Sequence, residues 1–158
     1  MDNVNRLRVG HIAPRIILDD SEGKKLDSYS YLDKNNLIIV FHRGVKSDNC
    51  IAWLEELNKS LGKFDLLNVM ILAISVDETR VTKKLKQKLG LNFPLLYDKG
   101  SETISAYGVL DSSSEKGEPH PATFVVDKWG IIRYIKVYMD YKDKPTIEEL
   151  ISILEDKT

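Results

Sequence analysis

Two runs, "NLIIVFHR" (residues 36–43) and "VMILAISV" (69–76), constrain the fold of this chain more than anything else in it. Both are rich in β-branched residues and apolar on both faces, which suits strands at the centre of a sheet covered by helices on either side. The intervening segment supplies a first helix. From Asn49 onward Ile51, Leu54, Leu57, Leu61 and Phe64 recur at helical spacing, with Glu55, Glu56, Asn58 and Lys59 between them and Gly62 weakening the last turn. After the second run come a helix, "DETRVTKKLKQKLG", that stops near Gly90, a short strand, "FPLLYD", and a short helix, "SETISAYG".

The ends of the chain add antiparallel pieces. "RIILDDSEGKKLDS" holds two strand-like pieces around a turn-rich Asp-Ser-Glu-Gly, a β-hairpin placed to cover a sheet edge. "ATFVVDKWGIIRYIKVY" gives two strands joined at Asp127-Lys128-Trp129-Gly130, and "TIEELISILED" closes the chain as a helix with Thr146 and Glu149 spaced for a capping box. With no internal repeat, the reading is one α/β domain over residues 1–158, with a central sheet that is partly parallel and partly antiparallel.

Function begins with the only cysteine. Cys50 lies where the first buried strand gives way to the first helix, in the segment "FHRGVKSDNC". A helix N-terminus offers unpaired N–H groups and the positive end of the macrodipole, both of which favour a thiolate. His42, Arg43 and Lys46 lie within eight residues upstream, and Ser47 is placed to donate a hydrogen bond to the sulfur or to a bound oxygen. The competing reading is that Cys50 is a small buried hydrophobe. Against it stand a polar flank and a position at the end of a parallel strand, the sheet edge where ligands bind in open α/β folds.

Composition narrows the classes of function. With 24 acidic and 23 basic side chains and a net charge of -1, nothing marks a surface for nucleic acid. No run reaches the length of a membrane span and the N-terminus lacks a signal-peptide core, so the expected compartment is the cytoplasm. A single cysteine rules out thiolate-rich zinc sites, and His11, His42 and His120 are scattered, so neither a metal nor another cofactor is expected.

The chain resembles a known family from about Gly10 to its C-terminus. "HIAPRIILDDSEGKKLDS" is similar to the N-terminal hairpin of peroxiredoxins, and "FHRGVKSDNC" to their peroxidatic segment, Pro-x-x-x-Thr/Ser-x-x-Cys. "FHRG", "HPATFVVDKWGIIRY" and "YMDYKDKPTIEEL" resemble, in order, pieces of the peroxiredoxin-like branch of the alkyl hydroperoxide reductase and thiol-specific antioxidant family. The resemblance implies a thioredoxin-like fold with an N-terminal β-hairpin and a thiol peroxidase with Cys50, Ser47 and Arg43 as catalytic residues. It implies His42, Asn49 and Pro121 as candidates for the substrate pocket, with backbone N–H groups of residues 48 to 50 stabilising charge on the breaking O–O bond. A hydroperoxide would be the substrate, an external thiol or thioredoxin-like protein the reductant, and a homodimer the assembly the family allows.

Several positions depart from the family's pattern. Ser47 stands where this branch has a first cysteine, Pro121 where typical peroxiredoxins have an arginine, and Trp53 where they often have a glutamate. With one thiol the chemistry is one-cysteine chemistry. The alternatives are a redox-responsive or vestigial binding module and a monothiol exchange protein. Pro121 also stands where thioredoxin-fold proteins often carry a cis proline facing the thiol, and its isomer is left open.

Overall fold

The computed structural model describes residues 6–156; residues 1–5 and 157–158, which the expected domain includes, lie outside the described residues. Its strands are β1 (Ile17–Asp20), β2 (Lys25–Asp27), β3 (Asn36–Phe41), β4 (Val69–Ser75), β5 (Leu95–Tyr97), β6 (Ala122–Val126) and β7 (Ile132–Val137). The helices are α1 (Asp48–Lys59), α2 (Leu61–Asp65), α3 (Thr79–Leu89), α4 (Glu102–Ala106) and α5 (Ile147–Glu155). The strands form one sheet in the order β2-β1-β5-β4-β3-β6-β7. β3, β4 and β5 run parallel, while β1, β6 and β7 pair antiparallel to their neighbours.

The two sequence runs occupy the centre, as their composition requires. Every residue of β3 is buried, and its side chains alternate between two cores. Ile38 and Val40 join Trp53, Leu54 and Leu57 of α1, Leu85 of α3 and Leu150 and Leu154 of α5 on one face. Leu37, Ile39 and Phe41 join Leu72, Ile74, Ile104 and Tyr107 on the other. There Phe41, Tyr107 and Phe124 meet with ring centroids 5.1 to 5.7 Å apart, Tyr107 and Phe124 edge to face. Each fully buried aliphatic side chain contributes about 1.5–3 kcal/mol, which is why α1 seats itself by Leu54 and Leu57 and carries its N-terminus to the end of β3.

The N-terminal hairpin covers the β5 edge by pairing with it, Asp19 opposite Tyr97 and Asp20 opposite Leu96. The capping box at Thr146 is formed in both directions, and Gly90 ends α3 in the left-handed region at φ 64°. Two boundaries differ from the sequence reading. The expected strand through Arg43 stops at Phe41, since the chain turns at Gly44, where φ is +85°. The first helix breaks at Ser60, whose hydroxyl bonds back to the Glu56 carbonyl at 3.2 Å, and resumes as the short α2. No helix among the described residues is long and apolar enough to cross a membrane.

Candidate functional site

Cys50 sits in the first turn of α1, 7% exposed and not in a disulfide. Ser47 is the N-cap of that helix: its backbone is extended and its hydroxyl oxygen accepts the Cys50 N–H at 3.2 Å. The sequence reading cast Ser47 as a donor to the sulfur or to a bound oxygen, and the N–H groups of residues 48 to 50 as donors toward the breaking O–O bond. The Cys50 N–H is taken up by the cap, because a helix start must satisfy its first N–H groups and a serine three residues upstream does so, while the Ser47 O–H proton stays available to donate. The sulfur receives a hydrogen bond from the Arg43 backbone N–H, at 3.4 Å.

That N–H is aimed by a loop tied at several points. The Gly44 N–H donates to Nδ1 of His42 at 3.1 Å, the Val45 N–H donates to Oδ2 of Asp77 at 2.8 Å, and the Ser47 N–H donates to the Gly44 carbonyl at 3.1 Å. A side chain at Gly44 would collide with the Asp77 carboxylate, so the absence of a Cβ lets the loop lie this close to the β4–α3 connection.

The Arg43 guanidinium, beside the pocket that Cys50 also lines, is held by carboxylates. Nη1 lies 3.1 Å from Oδ2 of Asp111 and Nη2 lies 2.9 Å from Oε1 of Glu118, while Lys46 pairs with the other oxygen of Glu118. Two cations therefore meet two carboxylates. Arg43 assists the sulfur through its backbone, with its side-chain charge largely compensated. Burial works to raise the Glu118 carboxyl, but hydrogen bonds from Lys46 and Ser114 and the charge of Arg43 outweigh it and hold the group below its usual range. Asp111 is also held low, first by the Ser113 hydroxyl and N–H and then by Arg43.

The sulfur opens onto a pocket of about 340 Å³. Arg43, Ser47, Asn49 and Cys50 form one wall; Asp111, Ser113, His120 and Pro121 a second; Tyr138, Met139 and Tyr141 a third. The Tyr138 N–H donates to the Pro121 carbonyl at 3.1 Å and joins the last two. Burial is the main cause that raises both phenols above their ordinary range.

Of the pocket candidates, Asn49 and Pro121 line the cavity and His42 does not. His42 is 2% exposed beneath the loop, and burial pushes its pKa down to about 4. Because Nδ1 accepts the Gly44 N–H, the neutral ring carries its proton on Nε2. The histidine that reaches the pocket is His120. Pro121 is trans. Trp53 is a core residue under Nζ of Lys144, 4.3 Å from the ring centre.

Sequence reasoning missed Asp111, Glu118, Tyr138, Met139 and Tyr141 as parts of the site. For the tyrosines the signal was the family-like segment "YMDYKDKPTIEEL", which the fold brings to the thiol from far along the chain; the two acids lie in a polar loop that carries no local pattern. Among the described residues no cluster of three or more His, Cys, Asp or Glu side chains could hold a metal ion.

A family model described as the AhpC/TSA family matches residues 9–135. A thiol-disulfide oxidoreductase ResA of Bacillus thuringiensis is 29% identical over 154 residues, covering 97% of this chain and 80% of that protein. A putative peroxiredoxin of Mycobacterium tuberculosis is 27% identical over 136 residues, covering 84% of this chain and 86% of its own. Among solved structures, the peroxidoxin BcpB of Mycobacterium tuberculosis superposes with a TM-score of 0.86 at 17% identity, covering 96% of this chain and 98% of that one. A yeast mitochondrial 1-Cys peroxiredoxin superposes at 0.81 and 21% identity, covering 94% and 75%. The fold is the peroxiredoxin form of the thioredoxin-like α/β architecture.

Proposed function

The chain belongs to the AhpC/TSA family, a family of peroxiredoxins and thiol-disulfide oxidoreductases, and from that premise we propose that it is a one-cysteine thiol peroxidase acting through Cys50. The observation that carries the reading is the sulfur itself: at a helix N-terminus, bonded by the Arg43 N–H, and facing a pocket. The thiolate attacks the terminal oxygen of a hydroperoxide, an S–O bond forms as the O–O bond breaks, and the leaving oxygen takes a proton to depart as water or an alcohol. Sulfur loses the two electrons that the peroxide gains.

The resulting sulfenic acid condenses with an external thiol, releasing water and leaving a mixed disulfide. A second external thiol then regenerates Cys50. The reductant must come from outside because the sequence holds one cysteine, which also excludes dithiol exchange within the chain. In the pocket, His120, Tyr138 and Tyr141 are the ring side chains able to supply or relay the proton of the leaving oxygen. We place this chemistry in the cytoplasm and read the chain as one domain.

The test is peroxide consumption in the presence of dithiothreitol by the wild-type protein and by Cys50→Ser, with dimedone trapping of the sulfenic acid. Wild-type turnover with the variant at background is the expected result; equal rates for both rule the peroxidase out. A mixed disulfide at Cys50 without peroxide turnover favours monothiol exchange, the reading closer to the ResA relatives.

A further inference from the structure

Glu118 is 5% exposed, yet it holds the side chains of two residues in the loop that carries the thiol's hydrogen-bond donor. Arg43 and Lys46 stand on either side of Gly44, and both converge on its carboxylate. Glu118 is itself fastened: its N–H donates to the Ser114 hydroxyl oxygen at 3.1 Å, and that hydroxyl lies 3.1 Å from Oε1. Its carbonyl accepts the Asp111 N–H at 3.0 Å, and a bridge between Leu110 and Pro119 closes the segment. This segment leads directly into His120 and Pro121 of the opposite pocket wall.

We propose that Glu118, assisted by Asp111, is a positioning residue for Cys50: by tying Arg43 and Lys46 to the wall that carries His120 and Pro121, it aims the Arg43 N–H at the sulfur and sets the width of the pocket. The proposal rests on the reading of Cys50 as the reacting group. Two features favour positioning over a purely electrostatic role. The loop's own hydrogen bonds tie its backbone on either side of Gly44, and these ion pairs add a restraint from outside the loop on the residue that bears the N–H. A carboxylate near a thiolate, acting by charge alone, would also oppose ionisation and serve the chemistry poorly.

The experiment compares Glu118→Gln with Ser114→Ala, which loosens Glu118 without changing any charge. Cys50 alkylation by iodoacetamide is followed against pH in the wild-type protein and both variants, with circular dichroism melts to show that each is folded. Positioning requires both variants to shift in the same direction, the profile midpoint rising and the rate at pH 7 falling by about three- to tenfold, since a tenfold loss of thiolate corresponds to one pKa unit. A lowered midpoint in Glu118→Gln with no change in Ser114→Ala assigns the carboxylate a charge role and overturns the proposal. Unchanged profiles in both variants also overturn it, and if Glu118→Gln does not fold, Ser114→Ala is judged on the same criterion. Alkylation needs no peroxide turnover. If the wild-type protein consumes no peroxide while both variants still shift as stated, the peroxidase fails and Glu118 keeps its role.

Discussion

Replacing Gly44 with alanine tests how the thiol loop is held. At φ +85° an alanine is strained by about 1–2 kcal/mol. Its Cβ would also stand 2.7 Å from Cγ of Asp77, so the carboxylate must move and give up the Val45 N–H, a bond of 2.8 Å. A hydrogen bond to a charged acceptor is worth about 1.5–3 kcal/mol, and Val45 is exposed, so the low end applies. The sum is about 3 kcal/mol, a substantial part of the ~5–15 kcal/mol that holds a typical domain together. In urea this moves the unfolding midpoint down by about 1.5 M for a slope near 2 kcal/mol per M. Asp77→Ala has already lost the Val45 bond and has no carboxylate to displace. In that background Gly44→Ala should cost only the backbone strain, leaving about 1.5 kcal/mol of coupling between the two sites. Alkylation of Cys50 should slow in Gly44→Ala, because the Arg43 N–H sits one residue away. A loss under about 1 kcal/mol, or the same loss in both backgrounds, refutes the account of the loop.

Three further outcomes are expected. Ser47→Ala removes the N-cap of α1 and should cost about 1 kcal/mol, a fall in Tm of about 2–4 °C, with Ser47→Thr recovering most of it; an unchanged melt removes the cap from the argument. His42 is buried with a folded pKa near 4, below its ordinary 6.5, so the unfolded chain binds a proton that the folded one does not. Stability from this group is present above pH 6.5 and is lost at about 1.4 kcal/mol per pH unit as pH falls toward 4, and a flatter pH dependence in urea titrations of His42→Asn checks it. Cys50→Ser should abolish both peroxide turnover and dimedone labelling, which direct assay and mass spectrometry read independently.

The central strands were legible because burial on both faces leaves its mark in composition, and β3 and β4 occupy the middle of the sheet accordingly. The capping box at Thr146 and the stop at Gly90 were legible for a different reason: each is decided within a few residues of backbone. In the same way the placement of Cys50 in a first helical turn followed from the apolar spacing after Asn49. Local spacing said less about the direction of a side chain. Ser47 lies three residues from Cys50 in either account, and only the helix geometry makes its oxygen an acceptor for the backbone.

By itself, then, the sequence determined the sheet's centre, the faces of its helices and the position of its single thiol, since these depend on hydrophobic period and on hydrogen bonds between near neighbours. Only the tertiary structure decided what surrounds that thiol. Arg43 turns its charge to Asp111 and Glu118, residues 68 and 75 positions away, and Tyr138 and Tyr141 join Cys50 in lining the pocket. His42 goes under the loop and His120 into the pocket, although both flank segments that meet. The physical reason is that a long charged side chain can reach many places, and its partner is chosen by whatever charge the completed fold brings within hydrogen-bonding distance.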